Sequence, residues 1–92
     1  MEIDFDPVKN ATNIRERGLS FERMAEFDFE TAQFTIDNRR DYGETRYRVL
    51  GSLDHRLHAL VFVEIVGGIR VISFRKANKR EVKQYETQSR ID

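Results

Sequence analysis

Cysteine is absent from this 92-residue chain, and so is tryptophan. Without thiols there is no disulfide framework, no thiolate nucleophile and no cysteine-held zinc, a composition that suits a reducing compartment. One proline and five glycines are too few for a linker or a low-complexity tract. No apolar run approaches the roughly 20 residues that span a bilayer. The opening Met1-Glu2-Ile3-Asp4-Phe5-Asp6 is acidic where a signal peptide would be basic and then apolar. These absences lead us to expect a cytoplasmic chain with no membrane contact, folded as one domain over residues 1–92. Neither a Gly-x-x-x-x-Gly-Lys loop nor a Gly-x-Gly-x-x-Gly fingerprint occurs, so no nucleotide cofactor is expected.

Charge is present in quantity but is sorted along the chain. Sixteen basic and sixteen acidic residues cancel, yet residues 1–38 hold nine acids and four bases while residues 70–92 hold seven bases and three acids. Arg70, Arg75, Lys76, Lys79, Arg80 and Lys83 crowd one expected strand–helix junction. A neutral protein with one basic side binds anions locally, and nucleic acid is the polyanion that suits a small domain.

The expected architecture is α+β. Asp6 and Pro7 read as helix cap and first helical position, and Gly18 as a left-handed stop, giving a helix over Pro7–Arg17. Val8, Ala11 and Ile14 recur along it as an apolar stripe. Ser20 caps a second, shorter helix with Phe21, Met24 and Ala25 on one face. From Ala32 the period becomes two, with Phe34 and Ile36 alternating against polar residues. A polar turn at Asn38–Gly43 follows, then a strand with Tyr47, Val49 and Leu53 on one face and Arg46, Arg48 and Leu50 on the other. Leu57–Val66 is apolar on both faces, as a central strand is. Gly67-Gly68 turns it into Ile69–Phe74. Asn78 and Glu81 stand three apart as a capping pair for a last helix carrying Val82 and Tyr85. The expectation is an antiparallel four-stranded meander with two N-terminal helices and one C-terminal helix, a short strand at Ile3–Phe5 being left open.

The residues capable of chemistry are few. His55 and His58 fall on opposite faces of a strand by alternation, and read as a turn residue and a half-exposed strand residue, not as an acid–base pair or metal site. No serine has His and Asp partners in a recognisable arrangement. Arginine, lysine and carboxylate remain. Arg46 and Arg48 project from one strand face, and Arg70 and, just past the strand Ile69–Phe74, Arg75 are expected to meet them across the sheet. Guanidiniums hold their charge and match phosphate oxygens, although arginines on an edge strand also serve as solvated gatekeepers. Such a cluster suits a phosphodiester backbone, or the charge that builds when a ribose 2′-hydroxyl attacks its neighbouring phosphate. Glu44 is a candidate base for that hydroxyl, and Tyr47 or Tyr85 can stack on a nucleobase. Arg46 and Arg75 are expected to be exposed.

Ordered motifs cover nearly the whole chain. They run Phe5-Asp6-Pro7-x-Lys9-x-x-x-Asn13-Ile14, then Gly18-Leu19-Ser20-Phe21 and Ala25, Asp37, Gly43-Glu44-x-Arg46-Tyr47 and Gly51. Arg70-Val71-Ile72-Ser73-x-Arg75-Lys76-Ala77, Arg80-Glu81 and Tyr85 complete the set. In this order and spacing they resemble the BrnT family, ribonuclease toxins of bacterial type II toxin–antitoxin modules with a RelE-like fold. The resemblance implies an RNA endonuclease that halts translation without metal or organic cofactor. Arg46 and Arg75 would hold the scissile phosphate, with Glu44 or Arg17 assisting proton transfer. Arg48, Arg70, Lys76, Lys79, Arg80 and Tyr85 would contact RNA. It also implies a BrnA-like ribbon-helix-helix antitoxin in a hetero-oligomer, with DNA reached only through that partner. Where the family usually reads Lys-His-Gly this chain reads Glu16-Arg17-Gly18, and Phe5 replaces the usual Trp. The alternative implied by that missing histidine is a module that binds its antitoxin and tunes operon repression without cleaving RNA.

Overall fold

A computed structural model of the chain describes residues 1–91. Five strands form one sheet: β1 (Glu2–Phe5), β2 (Asp28–Ile36), β3 (Tyr47–Leu53), β4 (Arg56–Ile65) and β5 (Gly68–Lys76). Their order is β1-β5-β4-β3-β2, with β1 parallel to β5 and the other pairs antiparallel. The sheet is therefore mixed and five-stranded, not the four-stranded antiparallel meander expected. The added strand docks because residue 68 is glycine: a Cβ there would meet the Glu2 carbonyl oxygen at 1.9 Å. Ile3 and Phe5 then pack on the core.

Two helices flank the sheet, α1 (Pro7–Arg17) and α2 (Lys79–Ile91), and a 3₁₀ helix spans Phe21–Glu26 where the second N-terminal helix was expected. The shorter segment is capped by Ser20, whose Oγ accepts from Glu22 N at 3.1 Å, and it buries Phe21 and Met24. Asp6 caps α1 by accepting from Val8 N at 2.9 Å, and Gly18 ends it at φ 65°. The expected apolar stripe is not its buried face, since Val8 is 72% and Ile14 46% exposed. Amides dock α1 instead. Asn10 Oδ1 accepts from Phe21 N at 2.7 Å, and Asn13 Nδ2 donates to the carbonyls of Leu19 at 3.0 Å and Phe74 at 2.9 Å. Buried backbone groups need such partners more than a short helix needs an apolar face.

The core lies between one face of the sheet and this N-terminal layer. Phe74, Met24, Leu60, Val49 and Val71 are its fully buried members, and each large side chain contributes about 1.5–3 kcal/mol through burial. The opposite face is crossed by α2. Tyr85 Oη donates to Thr31 O at 2.9 Å and Gln33 Nε2 donates to Tyr85 O at 2.9 Å, tying the helix to β2.

A β-bulge organises β5. Val61 pairs with Ser73 and Phe62 with Val71, which leaves Ile72 unpaired. Strict alternation would send Arg70 and Arg75 to opposite faces. The extra residue resets the phase, so Arg70, Ser73 and Arg75 face the α2 side, opposite Val63, Val61 and Ala59. No helix among the described residues is long and apolar enough to cross a membrane.

Candidate nucleic-acid interface

Between the sheet and α2 lies a groove of about 280 Å³ whose walls carry Arg39, Arg48, Arg75, Ser73 and Glu81. Three arginines reach it from three elements: the β2–β3 loop, β3 and β5. Arg75 is fixed by a two-point bond to Glu81, Nη1 to Oε1 at 2.7 Å and Nη2 to Oε2 at 3.0 Å. Glu81 also forms the expected capping pair, accepting from Asn78 N at 2.9 Å while its own N–H donates to Asn78 Oδ1 at 2.9 Å. It is only 7% exposed. The Arg75 guanidinium, the Asn78 amide and nearby Arg48 hold its carboxyl below the usual range against the opposing effect of burial. Arg75 is correspondingly raised, chiefly by its bond to Glu81. It is half-buried, not freely exposed as expected. With Nη1 also donating to Lys76 O at 3.3 Å, two of its five N–H groups remain for a ligand.

Arg39 is held in the same manner. Its Nε and Nη2 donate to buried Asp37 at 2.8 and 2.7 Å, and Tyr42 Oη donates to the same carboxylate at 3.1 Å. These bonds, led by Arg39, keep Asp37 ionised far below the ordinary carboxylate range. Arg48 differs, since among the described residues it makes no ion pair. It lines the groove with its side chain exposed and its donors uncommitted.

The other expected residues distribute around this centre. Arg46 continues the groove side of β3 by one step, where its carbonyl accepts from Asp37 N at 2.8 Å. Its guanidinium lies 4.1 Å from the Tyr42 ring centroid, and its Nε donates to Glu44 at 3.2 Å. Arg46 is therefore half-buried, not exposed as expected, and it sits with Glu44 on the loop side of β3 and not among the groove-lining residues. Arg70 shares the face but is bonded to Asp4 of β1 at 2.8 Å. Tyr85 is the strut between α2 and β2. Lys79 lines a separate shallow depression beside Leu57 and Val82, and Arg80 is exposed in the first turn of α2. Arg17 and Lys76 line a cavity on the opposite side of the sheet. His58 lines that cavity too and is 4% exposed, so it is buried where a half-exposed strand residue was expected.

The groove residues that sequence reasoning missed are Arg39 and the positioning role of Glu81. Arg39 stood in a polar stretch with only turn character. Its spacing from Asp37 was the available signal, because an aspartate readily bonds the group two residues on.

No curated protein matches the chain. A family model described as "Ribonuclease toxin, BrnT, of type II toxin-antitoxin system" matches residues 5–81, a span that contains every groove arginine and Glu81. The chain belongs to the BrnT family of ribonuclease toxins of type II toxin–antitoxin systems.

Proposed function

We propose that the protein is an RNA endonuclease whose scissile phosphate lies in the groove between the sheet and α2. The observation that carries this reading is the convergence of Arg39, Arg48 and Arg75 from three separate elements, two of them oriented by carboxylates. Arg48 and the free edge of Arg75 bind the non-bridging oxygens. The ribose 2′-oxygen attacks phosphorus, the P–O5′ bond breaks, and the proton lost from the 2′-hydroxyl is balanced by one gained at the 5′-oxygen through water. The products are a 2′,3′-cyclic phosphate and a 5′-hydroxyl. The clamped Arg75 guanidinium stabilises the added negative charge of the five-coordinate phosphorus without reorganising, and the uncommitted Arg48 adds its charge beside it. Arg46 on its Tyr42 shelf contacts the backbone at the rim. Cleavage needs no metal in this scheme, and among the described residues no three His, Asp or Glu side chains gather as a cation would require.

Cleavage of messenger RNA would stop translation, and a ribbon-helix-helix antitoxin would relieve it. The surface that suits this partner is the ledge on the other face of the sheet, where Phe34 and Ile36 of edge strand β2 are each 51% exposed beside Tyr47 and Phe62. A second reading, antitoxin binding and repression without cleavage, is favoured by one fact: Asp37 and Glu81 neutralise two of the three groove arginines. Single-turnover cleavage of a defined RNA by purified protein decides between them. The expected result is product with a cyclic phosphate end, formed equally with and without EDTA. Intact RNA at excess enzyme establishes the second reading.

A further inference from the structure

Across the sheet from the groove, where α1 ends and β3 turns into β4, a cavity of about 560 Å³ gathers a second set of cations. The turn is tight, with Asp54 and His55 at φ 52° and 62°, and it aims Asp54 at Arg23, which donates to it at 2.7 Å and also pairs with Glu26. Arg23 is thereby neutralised. Arg17, Arg56 and Lys76 also line the cavity, and none of them forms an ion pair among the described residues. Three uncompensated cations around one concavity favour an anion.

His58 defines what kind of anion. Its Nδ1 lies 2.8 Å from Arg56 O. A carbonyl only accepts, so Nδ1 carries the proton, and in the neutral ring Nε2 is an acceptor. Burial holds the ring below its ordinary pKa. Lys76 and Arg56 push the same way, against the Arg56 carbonyl bond and Asp54. Phe74 fixes the ring plane, with centroids 5.5 Å apart. Nε2 has no hydrogen-bond partner, yet no fully buried polar side-chain atom is left unsatisfied among the described residues. It must therefore open into the cavity that His58 lines. The site offers several positive donors and one neutral nitrogen acceptor. Its complement is a ligand that presents anionic oxygens next to a hydroxyl.

We propose that this cavity is a second RNA subsite, holding a backbone phosphate on Arg17, Arg56 and Lys76 while the adjacent ribose 2′-hydroxyl donates to His58 Nε2. The assignment rests on the RNA reading given above and extends it, because a 2′-hydroxyl contact is what lets a site tell RNA from DNA. The groove carries the phosphate under attack, and the cavity selects the sugar.

A nucleoside 3′-monophosphate carries the phosphate and the neighbouring 2′-hydroxyl but has no bond to cleave. Titrating it into ¹⁵N-labelled protein should shift the His58 Nε2 resonance, and its 2′-deoxy analogue should bind about fivefold more weakly, as loss of one hydrogen bond implies, without that shift. Arg56→Gln and Lys76→Gln should each weaken both ligands several-fold. His58→Gln should bind the two nucleotides equally. Should that variant fail to fold, the wild-type Nε2 signal alone decides. Equal affinity for ribo and deoxy forms overturns the proposal, and so does an unmoved His58 or the same response to inorganic phosphate, which would mark an adventitious ion only. If RNA is cleaved in an Arg75-dependent manner while His58 stays silent, the groove reading stands and the cavity falls. If RNA is neither bound nor cleaved, both fall.

Discussion

The groove and the cavity lie on opposite faces of the same sheet and use opposite means to present positive charge. In the groove, Arg75 and Arg39 are each clamped at two points by a buried carboxylate. In the cavity, Arg17, Arg56 and Lys76 are unclamped and the fixed element is a neutral histidine. Clamping lowers net charge but sets donor direction, which is what stabilisation of a transition state demands. Unclamped cations retain their full charge and suit attraction of a ligand along a path.

The largest effect should come from Arg75→Gln. Losing an oriented donor to the reacting phosphate typically costs about 10²–10³ in rate. Single-turnover cleavage should fall by that factor, and because Glu81 is left buried without its partner the variant should also melt at lower temperature. Wild-type cleavage by a folded Arg75→Gln protein would remove the groove from the mechanism. Arg48→Gln should separate the two effects. With no ion pair to lose, its stability should stay within about 0.5 kcal/mol, while cleavage drops roughly a hundredfold, or about 2.7 kcal/mol in the barrier. Rate and melting point falling together there would show that Arg48 is structural.

Acid sensitivity should resolve the two sites in pH. His58 has a lowered folded pKa, so on acidification the unfolded chain takes up its proton first, near pH 6.5, and stability begins to decline there. Glu81 and Asp37 are also lowered. Their contribution is complete above the unfolded carboxylate values near pH 4 and is lost as pH falls through the lower folded values. Urea titrations across pH should show an upper step abolished by His58→Gln and a lower one reduced by Glu81→Gln. The smallest effect should be that of Arg17→Gln on RNA affinity. Removing one phosphate contact to a single strand reduces the slope of log K against log salt by about 0.7, with melting unchanged. An unaltered slope would take Arg17 out of the cavity's ligand set.

What was legible in the sequence was local. Asp6-Pro7 and Gly18 marked the ends of α1, Asn78 and Glu81 marked the start of α2, period-two alternation marked the end of β2 and β3, an apolar run marked β4 and the Gly67-Gly68 turn marked β5, because caps, pleats and turns depend on nearest neighbours. Recognition of the family rested on ordered motifs, and Arg48 and Arg75 were named from charge and face. What escaped notice depends on distant partners. The Val8–Ala11–Ile14 stripe faces outward because Asn10 and Asn13 dock the helix through hydrogen bonds to Phe21, Leu19 and Phe74. Strand β1, left open at Ile3–Phe5 in the sequence, forms because Gly68 admits another backbone. His58 looked ordinary until Phe74 and the Arg56 carbonyl were seen to fix its ring. Asn13 and Phe74 stand 61 positions apart, and Gly68 meets Glu2 from a distant part of the chain, so no local window holds those two relations.

Ile72 makes β5 unequal in its tolerance of length. Because it opposes no residue of β4, excising it would leave a regular strand in which Arg70, Ser73 and Arg75 still share one side and Val71, Phe74 and Lys76 the other. Adding a residue at the same point would reverse everything after it, carrying Lys76 into the groove and Arg75 into the core beside His58. The strand carries one spare position, and a family member lacking it can keep both basic sites in place.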